Sequence, residues 1–296
     1  MSYSEKLPDI KGKYRQDVNI GKICWFKTNA IVDILFIPKD KQDLQNFLLK
    51  KPRDLPVYFM GAGSNLLIRT QKLQGVMIKL GSGFNFTTLE QDYITAGAAC
   101  LDTKLANFAA ASNISGLEFY AGIPGTVGGA IAMNAGTDET ETKDVLVDAL
   151  AININSGNIK KFTNKDFGFT YRENDVTSEW LFLEGRFLGS NKDSSSVYNK
   201  MREIKIRKTR VQPVHARTGG STFKNPPSHK AWKLIDQCGL RGYACGGAKF
   251  SELHCNFLIN YDNASAKDIE SLITIAKDKV GCRFNIKLQE EIKFIG

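Results

Sequence analysis

Two glycine-rich segments in the first half of the chain restrict what it can fold into. The first, residues 61–66, follows an apolar run at 55–60 that predicts a buried strand. The second, residues 122–136, contains five glycines in fifteen residues. Glycine lets a backbone approach a ligand closely, and successive N–H groups in a tight turn can bind an anion. Either segment alone could be a simple turn, but the pair favours one ligand with a pyrophosphate and a long body.

Neither segment fits the standard nucleotide-binding patterns. The first begins like the dinucleotide fingerprint, but Leu66 stands where the third glycine belongs. Neither segment contains the Gly-Lys-Ser/Thr sequence of a Walker phosphate loop. A Rossmann NAD domain and a P-loop NTPase are therefore both disfavoured.

The length and composition indicate a folded chain with more than one domain. With 296 residues, 42% hydrophobic and 24% charged, it exceeds what one hydrophobic core usually serves, so we expect two or three domains. The first residues are polar, and no apolar stretch approaches the roughly 20 residues that span a bilayer. We therefore expect a cytoplasmic protein without membrane contact. The six cysteines are scattered without a CxxC pair, which favours reduced thiols and no metal site.

The chain is basic, with a formal charge of +9. Part of this charge lies on residues 200–210 of a predicted helix, and these residues could form a solvated face or a nucleic-acid-binding surface. No aromatic residues interleave with these charges, as single-strand binding would require, so the solvated face is favoured. A nucleic-acid-binding protein is the alternative from a different class, but polyanionic small ligands explain the charge more simply.

The apolar pattern predicts a mixture of strands and helices typical of an α+β protein. Strands are predicted over 30–37, 55–60, 76–80, 93–96, 149–154, 159–162, 180–188 and 256–259, with a hairpin turn at 155–158. Helices are predicted after the N-cap Asp40, over 101–109, over 194–210, over 231–238, and from a capping box at Ser265 to Gly281. Residues 1–22 are polar and are predicted to form a loosely held arm.

The order of several motifs resembles a known family. The Gly-x-Gly-Ser-Asn-Leu-Leu of residues 61–67, the Gly-Ile-Pro-Gly-Thr-Val-Gly-Gly-Ala of 122–130 and the Met-Asn-Ala-Gly of 133–136 are similar to the FAD domain of the vanillyl-alcohol-oxidase type. Within that group, the chain resembles the UDP-N-acetylenolpyruvoylglucosamine reductase family. The carboxyl half agrees, with Gly-Ser-Thr-Phe-Lys-Asn-Pro at 220–226, Gly-Gly-Ala at 246–248 and Glu-Glu-Ile at 290–292. The resemblance covers roughly residues 20 to 296.

The resemblance implies a two-subdomain FAD-binding region of that type and a smaller α+β substrate-binding domain. It assigns residues 1–80 and 81–206 to the two FAD-binding subdomains, 207–284 to the substrate-binding domain, and 285–296 to a terminal strand that returns to the active site. The implied activity is reduction of an enolpyruvyl ether on a UDP-sugar, with non-covalent FAD and NADPH as reductant, in bacterial peptidoglycan synthesis. A monomer is expected. The runner-up is another FAD oxidoreductase of this fold that oxidises an alcohol.

Three residues match the family's catalytic positions. Ser221 matches the proton donor, Glu291 a near-terminal glutamate beside the substrate carboxylate, and Arg172 an arginine that pairs with the enolate or carboxylate. Substrate contacts are implied for Asn225, Lys224 and Tyr171. The residues implied to line the FAD are Gly61, Gly63, Ser64, Asn65, Leu66, Gly122, Pro124, Gly125, Thr126, Gly128 and Gly129.

The chain departs from the family pattern at two places. Asn174 stands where a serine usually follows the arginine, and Asn29-Ala30 replace two adjacent glycines. Alanine tolerates left-handed backbone poorly, so the second change predicts a reshaped turn. The short spacing from Arg172 to Ser221 predicts the form of the family that lacks a tyrosine lid.

Overall fold

The protein forms two compact units in a computed structural model that describes residues 7–137, 139–176 and 179–296. The first unit consists of the described part of Met1–Gln16, Ile34–Ala62 and Gly75–Ile206. The second consists of Asp17–Asp33, Gly63–Gln74 and Arg207–Gly296. Residues 17–33 and 63–74, which the sequence division places in the first FAD-binding subdomain, group here with the carboxyl-terminal residues. The division expected from the sequence stays a prediction.

Strands and short bridged segments occur throughout both units. In chain order they are β1 (Lys13–Asn19), β2 (Ile31–Ile37), β3 (Val57–Phe59), β4 (Leu66–Ile68), β5 (Lys72–Ile78), β6 (Thr87–Glu90), β7 (Tyr93–Gly97), β8 (Ile114–Ser115), β9 (Leu146–Asn153), β10 (Ile159–Thr163), β11 (Trp180–Leu188), β12 (Ser190–Asn191), β13 (Ala244–Cys245), β14 (Ala248–Phe250), β15 (Leu258–Asn260) and β16 (Lys293–Ile295).

The helices alternate irregularly with these strands, as the α+β prediction requires. The α-helices are α1 (Lys41–Lys50), α2 (Asp102–Ala111), α3 (Val127–Met133), α4 (Thr142–Val145), α5 (Ser194–Val211), α6 (Ala231–Gln237) and α7 (Ala266–Phe284). Short 3₁₀ turns occupy Ser82–Phe84, Glu118–Gly122 and Asn164–Phe167. Within the described residues, no helix is both long enough and apolar enough to cross a membrane.

A five-stranded antiparallel sheet forms the centre of the first unit. Its order is β10-β9-β11-β7-β6, and the predicted hairpin is confirmed by the pairing of β9 with β10. The turn between them uses Gly157 at φ +68°. Because alternate strand residues face opposite sides, one face packs apolar side chains against α2 and α3 in a core that includes Ile94, Leu105 and Ile131.

A four-stranded sheet of order β1-β2-β5-β3 lies mostly in the first unit, where α1 covers it. The predicted N-cap is confirmed, because the Asp40 side chain accepts a hydrogen bond from the Asp43 N–H at 2.9 Å. The rings of Phe36 on β2 and Phe47 on α1 lie 4.6 Å apart between centroids. This apolar contact fixes α1 against the sheet.

The second unit joins a small sheet, β13-β14-β15, to helix α7. The predicted capping box is confirmed, since the Ser265 and Asp268 side chains each accept a backbone N–H of the other residue. The terminal strand β16 runs parallel to β4, with Lys293 opposite Leu66. The last residues of the chain are therefore paired with the strand that follows the first glycine-rich segment.

Two predictions from the sequence are wrong. Helix α7 continues past Gly281 to Phe284 and ends at Asn285, whose left-handed φ of +55° provides the cap expected of glycine. The predicted arm over residues 1–22 contains β1, which joins the edge of the four-stranded sheet. Residues 1–6 of that arm lie outside the described residues.

Candidate functional site

The two glycine-rich segments touch each other in the first unit. A Cβ built on Gly61 would lie 2.6 Å from the Thr126 Oγ1, closer than real Cβ contacts come. The Lys79 ammonium donates to the Gly61 carbonyl at 2.7 Å, which holds the backbone of the first segment. Only glycine fits at position 61 while Thr126 keeps its place, so these two predicted FAD residues are adjacent.

The second glycine-rich segment is held by the turn between β7 and α2. The Val127 N–H donates to the Cys100 carbonyl at 2.9 Å, and the Gly128 N–H donates to the Ala98 carbonyl at 3.0 Å. A Cβ on Gly128 would lie 2.9 Å from that of Ala98. Gly128 is therefore needed for close packing against this backbone. Gly129 has more room, because the nearest atom to a Cβ placed there, outside the helix backbone and the adjacent residues, would be the Thr126 Oγ1 at 3.5 Å.

The remaining residues of the first segment belong to the second unit. Gly63 adopts φ +69°, and its carbonyl accepts the Trp25 N–H at 3.0 Å. Asn65 donates through Nδ2 to the Glu291 carbonyl at 3.0 Å, and its own carbonyl accepts the Lys293 N–H at 2.9 Å. The first segment is thus tied to the end of the chain.

These features fit a flavin nucleotide. The glycines at 61 and 128 have no room for a side chain, and the face of Gly129 is open enough to admit a ligand close to the backbone. Thr126 adds a hydroxyl at the contact between the segments. The predicted FAD residues divide between the units, with Gly61 and those from Gly122 to Gly129 in the first and those from Gly63 to Leu66 in the second.

Ser221 lies in an extended segment of the second unit that is bonded on both sides. Gly220 before it adopts φ +80°, and no atom lies within 4 Å of the place that a Cβ would take there. The Thr222 N–H donates to the Asn256 carbonyl at 2.7 Å, and the Thr222 carbonyl accepts the Glu291 N–H at 2.8 Å. Ser221 is therefore held between the residues around Asn256 and the end of the chain.

Asn256 is a buried amide that the sequence analysis did not identify. Its Oδ1 accepts the Phe223 N–H at 3.0 Å, and its Nδ2 donates to the Phe223 carbonyl at 2.8 Å. These bonds imitate strand pairing and fix the backbone two residues after Ser221. The Oγ1 atoms of Thr218 and Thr222 are buried without a hydrogen-bond partner among the described residues. Polar groups without partners are costly in a protein interior, so they mark this segment as one that could take a ligand.

The two adjacent glutamates near the end of the chain have different surroundings. Glu290 pairs with the Lys277 ammonium of α7 at 2.7 Å. Burial raises the pKa of Glu290, but the hydrogen bond and charge of Lys277 outweigh it and hold this pKa below its usual value. The backbone N–H of Glu291 instead donates to the carbonyl of Thr222, the residue after Ser221. The structure thus brings Ser221 and Glu291 into one part of the second unit, as the family resemblance implies.

The implied substrate residues Lys224 and Asn225 follow Ser221 directly. The Lys224 N–H donates to the Gln289 carbonyl at 2.8 Å, and its side chain is buried. The Asn225 Oδ1 accepts the Ala231 N–H at 3.0 Å at the start of α6. Both residues therefore have structural contacts, and their role toward a substrate stays a prediction.

Arg172 lies in the first unit against the end of α3. Its guanidinium donates to the Glu141 carboxylate at 2.8 Å and to the carbonyls of Asn134 and Gly136 at 3.2 and 3.0 Å. Arg172 itself adopts φ +62°, a left-handed backbone conformation that is strained for an arginine and must be held by the surrounding contacts. Tyr171 is exposed, with its ring centre 4.8 Å from the Arg172 Cζ. Glu141 was not identified from the sequence.

The departure at Asn174 has a structural explanation. Its Nδ2 donates to the Ile131 and Ala132 carbonyls, each at 3.0 Å, and its Oδ1 accepts the Val176 N–H at 3.0 Å. The amide therefore donates to two carbonyls in the last turn of α3, where few backbone N–H donors remain, and the Ile131 carbonyl also accepts the Asn134 N–H at 3.3 Å. A serine hydroxyl has a single proton and could not donate to both.

The turn at Asn29-Ala30 does not use the left-handed backbone that two glycines at these positions would allow. Neither residue adopts a positive φ, and the left-handed residue of this stretch is Lys27 at φ +54°. The Asn29 Oδ1 accepts the Asn19 amide at 2.5 Å, and the Ala30 carbonyl accepts the Gly21 N–H at 3.0 Å. The backbone at Asn29-Ala30 therefore requires no glycine-like conformation in this chain.

Comparison with known proteins gives consistent matches along the chain. A family model described as an FAD binding domain matches residues 32–163, and a model of the UDP-N-acetylenolpyruvoylglucosamine reductase C-terminal domain matches residues 212–295. The chain is 44% identical over 290 residues to the UDP-N-acetylenolpyruvoylglucosamine reductases of Rickettsia massiliae (strain Mtu5) and Rickettsia prowazekii (strain Madrid E). In each case the alignment covers 98% of this chain and 98% of the relative.

A solved structure agrees with the sequence matches. The UDP-N-acetylenolpyruvylglucosamine reductase of Thermus caldophilus superposes with a TM-score of 0.82 and 26% identity, over 97% of this chain and 100% of the other. The predicted fold class, α+β with a vanillyl-alcohol-oxidase-type FAD region and a smaller carboxyl-terminal domain, is confirmed by these matches.

Proposed function

This chain belongs to the UDP-N-acetylenolpyruvoylglucosamine reductase family, and on that premise we propose that it uses NADPH to reduce UDP-N-acetylglucosamine enolpyruvate to UDP-N-acetylmuramate. It is an FAD-containing oxidoreductase. The product would serve peptidoglycan synthesis. The expectations of a monomer and of a cytoplasmic location stay predictions.

The glycine-rich segments would hold the cofactor. Gly61, Thr126 and Gly129 offer a close approach to backbone and one hydroxyl in the first unit, and the positive charge of the chain suits FAD, NADPH and a UDP-sugar, which are all polyanions. Bound FAD supplies the hydride transfer that no amino-acid side chain can perform.

Ser221 would deliver the proton that the reduced ether requires. Hydride adds to the β-carbon of the enolpyruvyl group, so the adjacent carbon must take a proton. A serine hydroxyl is a weak acid in water and transfers a proton only when it is positioned against the accepting atom. The bonds of Thr222 and Phe223 to Asn256 and Glu291 support this role, because they hold the backbone around Ser221 rigid.

Glu291 and Arg172 would stabilise the substrate group as charge develops on it. A carboxyl beside the substrate carboxylate can hold an enol form, and a guanidinium can bind an enolate or carboxylate through two parallel hydrogen bonds. Lys224, Asn225 and Tyr171 would contact the UDP-sugar. The observation that carries the proposal is the 2.8 Å bond from the Glu291 N–H to the Thr222 carbonyl, which joins the terminal glutamate to the serine motif.

The test separates the two halves of the reaction in purified protein. Visible flavin absorbance is recorded while NADPH is added without oxygen, and then while the enolpyruvyl UDP-sugar is added. The proposal predicts bleaching by NADPH and recovery with the sugar. Ser221→Ala should bleach at a similar rate and lose most of the recovery, since only the second half needs the serine proton.

A matched variant tests whether removing a serine hydroxyl elsewhere in the second unit has the same effect. The Ser271 hydroxyl is exposed and donates to the Lys267 carbonyl within α7, away from the Ser221 motif, so Ser271→Ala should behave like the wild type in both halves. A colourless protein that cannot be reconstituted with FAD would contradict the proposed function. Unchanged recovery in Ser221→Ala would contradict the role of Ser221 alone.

A further inference from the structure

Asp102 is a carboxylic acid buried in the first unit without a visible reason. It is the first residue of α2 and is 0% exposed. Neither of its carboxyl oxygens has a hydrogen-bond partner, and no cation pairs with it among the described residues. Burying an unpaired carboxyl is costly, and a small apolar residue would avoid the cost. A residue kept at such a cost is a candidate for function.

Asp102 contacts Gly125 in the second glycine-rich segment. Its N–H donates to the Gly125 carbonyl at 3.2 Å, and a Cβ built on Gly125 would lie 2.6 Å from the Asp102 Oδ2. The carboxyl oxygen therefore lies directly against the Gly125 backbone, on a stretch implied to bind FAD. An oxygen is smaller than a methyl group, so this approach suits a carboxyl or an amide and does not suit a branched alkyl group.

The surroundings of Asp102 favour its protonated form. Burial raises the pKa of Asp102 well above its usual range. The titratable groups that interact with it electrostatically are Cys100, just before α2, and the buried Tyr120, whose hydroxyl donates to the Thr142 hydroxyl at 3.1 Å. Lys104 on α2 is exposed and bonds to Asn85. The stretch from Gly122 to Thr126 contributes no titratable side chain.

We propose that Asp102 is a positioning residue for FAD, whose carboxyl group packs against the backbone at Gly125, without a hydrogen bond to it, and keeps that backbone in the conformation that receives the cofactor. This inference rests on the proposed function, because it assumes that the glycine-rich segments bind FAD. A charged carboxylate at this place would both require solvation and repel the cofactor pyrophosphate, so ionisation of Asp102 opposes FAD binding.

The test measures FAD affinity as a function of pH, by the rise in flavin fluorescence when the holoenzyme is diluted. For the wild type, we expect affinity to fall as the pH rises through the range where Asp102 ionises. Asp102→Asn cannot ionise and keeps the shape, so its affinity should match the wild type near neutral pH and stay level above it. Asp102→Leu should bind FAD about tenfold more weakly at every pH, the effect expected of a methyl forced into a close contact.

A second buried acid provides the control. The Asp43 carboxylate accepts N–H groups of Lys11, Gly12 and Lys39 in the first unit, none of which belongs to either glycine-rich segment. Asp43→Asn should lower thermal stability and leave FAD affinity and its pH profile unchanged. If Asp102→Leu fails to fold, the level pH profile of Asp102→Asn still decides the question.

The outcomes distinguish this inference from the proposed function. FAD affinities of Asp102→Asn and Asp102→Leu that equal the wild-type value at every pH would overturn the role of Asp102 and leave the proposed function standing. A wild-type protein that binds no FAD would overturn both.

Discussion

The Asn65 side chain donates to the backbone carbonyl of Glu291 at 3.0 Å, across 226 positions of sequence. The Asn65 carbonyl in turn accepts the Lys293 N–H at 2.9 Å, so the residue sets the register at which β16 joins β4. One amide of the first glycine-rich segment therefore positions the backbone of the proposed catalytic glutamate. Family resemblance implies an FAD contact for Asn65, and the observed bonds give it a second role.

Replacing Asn65 should separate these two roles. In Asn65→Ala the Glu291 carbonyl loses its partner, and we expect the sugar-dependent half-reaction to slow about fivefold to tenfold, corresponding to roughly 1 kcal/mol for one hydrogen bond. Reduction by NADPH should change less. Asn46→Ala removes a comparable amide-to-carbonyl bond, to Asp9 in the first unit, and should leave both halves unchanged. Loss of FAD with equal slowing of both halves would show that the cofactor contact dominates.

The burial of Asp102 predicts a pH-dependent gain in stability for Asp102→Asn. The folded protein holds the Asp102 proton at pH values where the unfolded chain, with a pKa of about 3.9, has released it. The wild-type free energy of unfolding therefore carries a term that falls by up to about 1.4 kcal/mol per pH unit above that value. Asp102→Asn lacks this term. Its stability relative to the wild type should rise from pH 4 upward in urea unfolding, and a difference that stays constant with pH would contradict a protonated Asp102.

The position of Gly281 within α7 predicts a stabilising substitution. A Cβ at this helical residue would meet no atom within 4 Å, so Gly281→Ala should raise the free energy of unfolding by about 0.5–1 kcal/mol through helix propensity. Gly239 after α6 has equally open space but adopts φ +72°. Gly239→Ala should destabilise the protein by about 1 kcal/mol because of the left-handed backbone. If Gly281→Ala destabilised the protein in thermal unfolding as much as Gly239→Ala does, α7 would end near Gly281.

The Arg172–Glu141 pair predicts a coupling that a double-mutant cycle can measure. Their side chains are 12% and 15% exposed, and the guanidinium also binds two carbonyls at the end of α3. We expect Arg172→Lys and Glu141→Gln each to reduce sugar-dependent turnover, with an interaction energy of about 1–3 kcal/mol. Lys161→Gln, which alters the pair between the exposed Lys161 and the buried Asp148, serves as the control and should show no coupling to Arg172. Strictly additive effects would mean that Glu141 does not orient the arginine.

Short-range patterns in the sequence determined most of the elements. The N-cap at Asp40, the capping box at Ser265 and the hairpin between β9 and β10 depend on residues within a few positions of one another, so their chemistry is readable from the chain. The catalytic candidates and the glycine-rich segments were likewise identifiable, because their residue types and order resemble a family over most of the chain. The end of α7 was misplaced because Asn285, as well as glycine, can adopt left-handed backbone.

Only the tertiary structure decided which partners those residues have. Asn65 and Glu291 meet because β16 pairs with β4, and Arg172 meets Glu141 because residues 170–174 fold onto the end of α3. The burial of Asp102 against Gly125 depends in the same way on segments that are far apart in sequence. Local propensity acts over about one helical turn, whereas hydrogen bonding and burial depend on which distant groups the folded backbone brings within a few ångströms.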